Sequence, residues 1–442
     1  MKVAFYLSSL PEDNLEHNQY PLGVGYLASL LEESGVEVLV TSLVDSVLRF
    51  EPDIVGISSV SQCFIQAQKA AGLIKKSLGV PVILGGYHIT ALPHKLPGHC
   101  DIGVTGEGEM PFMQLMKIFS VKRKWDLSDL AGINGICFHD ITGRVIVNNK
   151  SNEVPDINVL PIPYRNVPDG FIPMWIFSAR GCVYKCRFCA STRHWKKYRP
   201  HSAEYVANEI EYLVNQRKAT HIEFLDDLFF ADYRRLSETS ELLHRRGLTQ
   251  RVTFHGFITS NLATRSVLET AKSMGFTSIR FGAETGSDRL LKQMKGPWAS
   301  LKNHQRCIDL ANKIGLTLYG SFMFGTPGET VEDLQSTYDF LMRNKGALHI
   351  AGFYLTTPVP GTPYWDYAMQ KGLVDEDMDW NKLNLDFTKL QSFDFNKAVY
   401  LNEDLISRER FREIVGSIGE EFLNHEAAVL VANSLVKNRS CN

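Results

Sequence analysis

The chain has 442 residues, 44% of them apolar and 22% charged, with a formal net charge of −2. This length exceeds the size at which one hydrophobic core stops growing, so two or three folded units are expected. The balanced charge leaves no basic excess for a nucleic-acid backbone, and no stretch reaches the ~18 uninterrupted apolar residues of a membrane span, so neither nucleic acid nor membrane is an expected partner.

Lys2 to Leu7 reads as a short apolar strand, with no basic flank and no cleavage site of a targeting segment, which points to a cytoplasmic protein. Leu22 to Gly35 follows with Leu27, Leu30 and Leu31 at helical spacing before a terminating glycine. Apolar runs at 36–40, 53–59, 81–86 and 101–105 alternate with helical segments, the pattern of a doubly wound parallel sheet. Such sheets bind ligands beyond the carboxyl ends of their strands. Those ends carry Ser58-Ser59, Gly85-Gly86-Tyr87-His88 and Gly106-Glu107-Gly108-Glu109. Glycines there serve either close approach of backbone amides to a ligand or the tight turns of the fold itself. His17, in the loop after the first strand, and His88 read as polar loop residues.

Further along, Cys182-Val-Tyr-Lys-Cys186-Arg-Phe188-Cys189 sets three thiols on one short loop. Three thiolates can hold three corners of a 4Fe-4S cluster and leave one iron open, or, with His194, a tetrahedral zinc ion. The other five cysteines are scattered singly, which fits a reducing compartment and leaves too few thiols for a second cluster. From Trp175 onward strand and helix alternate, with strands near 174–178, 221–226, 251–259, 278–284, 317–325 and 349–357. Ala203 to Gln216 places Val206, Ile210, Leu213 and Val214 on one helical stripe. Beyond Trp365, Phe411, Ile414, Val415, Ile418 and Phe422 recur at helical spacing, as a helix packed on the barrel or a substrate lid.

The cysteine run resembles the signature of the radical S-adenosylmethionine (SAM) superfamily, and the Gly-Gly-x-His and Gly-Glu-Gly-Glu runs are similar to the cobalamin-binding-type domain of one large subfamily. The resemblance implies an α/β architecture: a Rossmann-like domain over 1–155, a partial (β/α)6 barrel over 156–365 and a mostly helical region over 366–442. It implies a 4Fe-4S cluster on Cys182, Cys186 and Cys189, with SAM on the open iron and Phe188 along its adenine. Asp226 and Asp227, which as bare sequence also suit helix capping, fall where the family engages the methionyl ammonium. Glu284 and Thr285 fall in the ribose-binding segment. Phe322 and Phe324 lie in the adenine-packing strand, which departs from the family's Gly-x-Ile-x-Gly-x-x-Glu form, and Thr356 and Pro358 in the run that forms an adenine wall.

Ser58, Ser59, Gly85, Gly86, Gly106, Glu107 and Gly108 are implied cobalamin contacts. The Asp-x-His-x-x-Gly motif of histidine-ligated cobalamin domains is absent after the first strand. Cobalamin is thus held without a histidine, or the domain is a scaffold that has lost it. His255 reads either as a catalytic residue, a proton donor or substrate hydrogen-bonder in the barrel, or as a satisfied core histidine. The implied chemistry is hydrogen abstraction by a 5'-deoxyadenosyl radical, leading to cobalamin-dependent C-methylation of a small molecule. Cobalamin-independent dehydration, epimerisation or rearrangement is the alternative, and a non-enzymatic iron-sulfur or zinc-bound interaction protein a third reading. The partners implied are a small-molecule substrate and an electron donor such as flavodoxin or ferredoxin.

Overall fold

The computed structural model describes residues 1–8, 21–148, 153–165, 174–383 and 398–422; His17 and Cys441 lie outside them. Short apolar strands separated by amphipathic helices give a seven-stranded sheet in the order Glu37–Thr41, Lys2–Leu7, Ile54–Ser58, Val82–Gly85, Ile102–Val104, Ile136–His139, Val145–Val147. The first five strands are parallel and the last two antiparallel. In this order Lys2–Leu7 and Ile54–Ser58 are neighbours whose connections leave in opposite directions, the switch point at which doubly wound sheets bind ligands. The antiparallel pair is an addition to the expected elements. Its turn is held by Asp140, whose carboxylate accepts from the Thr142 and Arg144 amides.

A six-stranded sheet follows in the order His349–Leu355, Thr317–Phe324, Phe276–Glu284, Thr253–Ile258, His221–Phe224, Met174–Ile176. Parallel strands of a covered sheet bury both faces, yet here the residues alternate. Ile279, Phe281, Leu318, Phe322 and Phe324 are fully buried, while Arg280, Tyr319, Ser321 and Met323 between them are only half-buried. The buried set faces the helices: Phe281 meets His304 on Leu301–Ile314, and Phe322 meets Phe340 on Val331–Arg343. The alternate set therefore faces the barrel lumen.

By internal contacts the chain divides into two units, one of Met1–Phe177, Arg193–His201 and Asp377–Asn381, the other of Ser178–Thr192, Ser202–Glu376 and Lys382–Asn442. In the second unit the helix over 408–422 packs by its apolar stripe, with Phe411 against Tyr400 and Phe422 against Tyr338. That is the packing reading of this segment. No helix among the described residues is long and apolar enough to cross a membrane.

Two positions carry measurable costs. Gly86 has φ +99°, and a Cβ there would lie 2.5 Å from the Ser59 carbonyl oxygen. Its glycine thus admits the protein's own backbone. Gly86→Ala combines positive-φ strain with overpacking and is expected to lower stability by roughly 2–4 kcal/mol, read by chemical denaturation.

Glu329 is fully buried; one oxygen accepts from the Gly325 amide at 2.6 Å and the other has no partner. Burial pushes its carboxyl up from 4.5 to about 8. The folded state therefore keeps a proton that the unfolded chain has released. This contribution to stability is fully present below about pH 4.5 and is lost as pH rises through about 8, with a limiting slope of about 1.4 kcal/mol per pH unit. Glu329→Gln, which keeps the acceptor for Gly325, should flatten the decline of stability over that window in denaturation curves at stepped pH.

Candidate functional site

Gly181, at φ +82°, turns the chain into the cysteine loop. Over 182–188 burial alternates: Cys182, Tyr184, Cys186 and Phe188 are half-buried, while Val183, Lys185 and Arg187 are exposed. The alternation puts Cys182 and Cys186 on one side of the loop, and Cys189 follows on a turn that its amide closes on the Cys186 carbonyl at 3.2 Å. The loop is tied down by the Arg187 amide donating to the Met294 carbonyl at 2.9 Å. Burial pushes the Cys182 thiol up to about 11 and Cys186 to about 12, and raises Cys189. Against that, the Tyr184 amide donates to Cys182, the Thr192 and Ser191 amides donate to Cys189, and the Lys295 charge favours thiolates at Cys186 and Cys182.

Lys295 was not anticipated. It ends the helix Asp288–Lys295, where a lysine reads as an ordinary C-terminal cation, and only the fold shows it buried. Its ammonium lies 2.9 Å from Glu284 Oε1 and 2.7 Å from the Gly282 carbonyl. Burial opposes its charge, but the Glu284 carboxylate and the sulfurs of Cys186 and Cys182 outweigh that and raise its pKa. Glu284 adopts φ +61°, and a Cβ at Gly282 would lie 2.1 Å from its Oε1. Asn261 was likewise missed. It donates to the Tyr184 hydroxyl at 2.6 Å, while its own Oδ1 is buried without a partner. Tyr184 stacks on Trp298 at 3.8 Å.

Several expected ligand contacts are instead used up by the fold. Asp226 is fully buried, with one oxygen accepting from the Ser178 and Ala179 amides (2.6 and 2.9 Å) and the other from the Ser178 hydroxyl. Burial raises its pKa to about 6, against the nearby Arg235 charge and these hydrogen bonds. Asp227 alone of the pair reaches the loop: it accepts from the Ser191 hydroxyl, and its charge is felt by Cys182 and Cys189. Thr285 is buried and bonds Thr337 at 3.1 Å. Phe322 and Phe324 face outward into the core because strand parity turns them away from the lumen. Thr356 bonds Thr326 at 2.8 Å between the ends of two strands, and Pro358 is buried. Phe188 remains half-buried at the loop.

His255 is buried, with Nδ1 2.7 Å from the Ser278 hydroxyl and Nε2 without a partner. Burial, helped by the Arg280 and His221 charges, lowers it to about 3, so the ring is neutral and cannot serve as a cationic proton donor. Its Nε2 is the ring atom left to take part in a further hydrogen bond.

In the first unit, Ser58, Gly85, Gly106 and Gly108 are half-open at the strand ends. A Cβ at Gly85 or Gly108 would meet nothing closer than 3.9 and 3.5 Å, so neither glycine is required there by crowding. Ser59, by contrast, is buried with its hydroxyl on the Val60 carbonyl. Glu107 is buried in an ion pair with Arg199 and accepts from the Val154 amide at 3.2 Å. Neither presents a polar group to a cofactor. His88 is not a loop residue but wholly buried, 3.6 Å from the Phe64 ring and 4.6 Å from Trp380, with Nδ1 on Ser61.

Among the described residues, no three His, Cys, Asp or Glu side chains are gathered closely enough to hold a single metal ion. A cluster differs, since its irons are spread over a cube and each thiolate meets its own corner. The donor set here, three thiols on one loop with amide donors, a buried lysine and an orphaned acceptor on Asn261, fits a cluster with a polar ligand beside it.

Comparison with known proteins agrees. The radical SAM superfamily profile matches residues 176–341 and the B12 binding domain profile residues 13–116. An uncharacterized methyltransferase of Pyrococcus horikoshii is 30% identical over 82% of this chain and 81% of that protein. The anaerobic magnesium-protoporphyrin IX monomethyl ester cyclase of Rubrivivax gelatinosus is 25% identical over 83% of this chain and 69% of that protein. In fold, the chain is similar to the radical SAM methyltransferase TsrM of Kitasatospora setae, solved with cobalamin and a 4Fe-4S cluster bound, at a TM-score of 0.69 and 18% identity over 84% of this chain and 75% of that one. The cysteine loop and the doubly wound sheet thus belong to one known combination, and the chain is a member of the radical SAM superfamily, in the branch that carries a B12-binding domain ahead of the barrel.

Proposed function

We propose that this protein is a cobalamin-dependent radical SAM methyltransferase that methylates an unactivated carbon of a small molecule. The observation that carries the reading is the placement of three thiols on one loop, two of them, Cys182 and Cys186, under the charge of the buried Lys295, in a chain whose other unit has half-buried glycines at its strand ends. When bound, the cluster and SAM supply a radical hydrogen-abstracting agent, and cobalamin supplies a transferable methyl group. Cys182, Cys186 and Cys189 hold the cluster, helped toward the thiolate form by backbone amides and Lys295. Asp227 and the free oxygen of Asn261 accept from the ammonium of SAM, Glu284 orients its sugar, and Phe188 packs on its adenine. Ser58, Gly85, Gly106 and Gly108 hold cobalamin through their backbones, with no histidine ligand. The electron comes from a one-electron carrier of the flavodoxin or ferredoxin kind.

Two experiments test this. Anaerobically reconstituted protein should bind iron and cobalamin and release 5'-deoxyadenosine from SAM under reduction, and Ala at any of the three cysteines should abolish iron uptake and cleavage. Stoichiometric zinc without iron would overturn the cluster. SAM cleavage without any cobalamin uptake would instead favour radical rearrangement or cyclisation, the chemistry class of the cyclase relative.

The aspartates should separate by phenotype. Asp227→Ala is expected to weaken SAM binding by about ten- to hundredfold, the loss of a charged hydrogen bond worth roughly 1.5–3 kcal/mol. Asp226→Ala should act first on the melting temperature, because it strips two buried amides and a hydroxyl of their acceptor. Equal SAM affinity in wild type and the Asp227 variant, at full cluster content, would remove Asp227 from the site.

A further inference from the structure

Among the described residues, Arg280 is a half-buried cation with no carboxylate. It sits mid-strand on Phe276–Glu284, on the lumen face set by the alternation with Ile279 and Phe281. Its guanidinium lies over the Phe257 ring, 5.3 Å from the centroid, and its Nε is buried without a hydrogen-bond partner. It forms no ion pair, and Glu223, the acid on the adjoining strands level with His255, has partners elsewhere. One register step away, His255 opposes Ser278, is more than nine-tenths buried, and has its Nε2 without a partner. Leaving a guanidinium and a buried imidazole nitrogen unsatisfied costs stability, and neither is explained by packing.

We propose that Arg280 and His255 form an anchoring subsite for a compact oxyanion of the substrate, a carboxylate or a phosphoryl group. The inference rests on the methyltransferase reading above and names the class of molecule that site takes. A planar guanidinium presents a fork that matches two oxygens of such a group, and stacking on Phe257 holds the fork in one plane. The neutral imidazole, its Nδ1 engaged by Ser278, adds one directional hydrogen bond without neutralising the cation. Glu284 lies four residues further along the same strand, about 13 Å at the usual rise. The subsite therefore fixes one end of the substrate in the lumen while its reacting carbon lies nearer the strand's carboxyl end.

The test uses the full chain and two probes, methylphosphonate and propionate, which separate the phosphoryl from the carboxylate source. Binding is followed by ligand-observed nuclear magnetic resonance. Wild type is expected to bind at least one probe, and Arg280→Met to bind it about tenfold or more weakly, the loss of a charged bidentate contact. Thermal melting checks that the variant is folded; if it is not, Arg280→Lys, which keeps charge but loses the fork, should still bind more weakly than wild type. No binding of either probe by folded wild type, or equal binding by wild type and variant, overturns the proposal. Iron and cobalamin uptake by the same wild-type preparation reports separately on the reading beneath it.

Discussion

The surroundings of the cysteine loop depend on keeping one buried ammonium satisfied. Lys295 and Glu284 have side chains 6% and 8% exposed, and a pair so sheltered recovers its desolvation cost only with good geometry and further hydrogen bonds. The structure supplies both: the Gly282 carbonyl takes a second proton of the ammonium, and the absent side chain at Gly282 lets Glu284 fold back over its own strand. A hydrophobic pair of similar volume would serve stability as well or better. What it could not supply is positive charge felt by Cys182 and Cys186, which burial drives toward the neutral form. The pair is thus understood as part of the site, and the left-handed backbone at Glu284 as the strain that aims it.

The same economy of polar groups sorts the strand ends. A buried carboxylate must be fully hydrogen-bonded, so the ones that knit segments together are the ones withdrawn from ligands. Asp226 joins the residues before the cysteine loop to the end of the His221–Phe224 strand, with Arg235 donating to the Ser178 carbonyl and hydroxyl at 2.8 Å each. Glu107 does the equivalent in the first unit by holding Arg199 and the Val154 amide. In each case a neighbour with fewer partners, Asp227 or a half-buried glycine, stands beside the fully engaged carboxylate.

Much of this was legible in the sequence and some was not, for identifiable reasons. The cysteine spacing, the alternation of strands and helices, and the helix over 203–216 are local signals, and each appears where its residues put it. The phase of a strand is not local: a period of two in Thr317–Phe324 allows either face to be inward, and only the partner helix, through Phe340, decides that Phe322 and Phe324 are core. Lys295 was hidden because the end of a helix is where lysines ordinarily sit. The need for glycine at position 86 was not legible either, because glycine serves close approach of any group, and the group nearest here is the backbone of Ser59. His88 was misread because a histidine between Tyr87 and Ile89 carries no sign of the Phe64 and Trp380 rings that enclose it.

Strand phase also explains why the lumen is the place for a polar substrate. On the outer face of the strands Phe276–Glu284 and Thr317–Phe324, the residues Ile279, Phe281, Ala283, Leu318, Phe322 and Phe324 are at most 1% exposed, which is what helices packed on a parallel sheet require. Their alternates Ser278, Arg280, Tyr319, Ser321 and Met323 are only half-buried. A lumen meant only to be filled would carry branched apolar side chains in layers, as closed parallel barrels do. Retaining polar and charged groups there is costly unless water or a ligand completes their hydrogen bonds, and His255, held neutral at its Ser278 contact, shows that part of the wall is already dry. A dry wall with unpaired donors is a poor place for water and a good one for a substrate that brings its own acceptors. The fold thus separates its tasks by parity, with one face of each strand making the protein stable and the other making it selective.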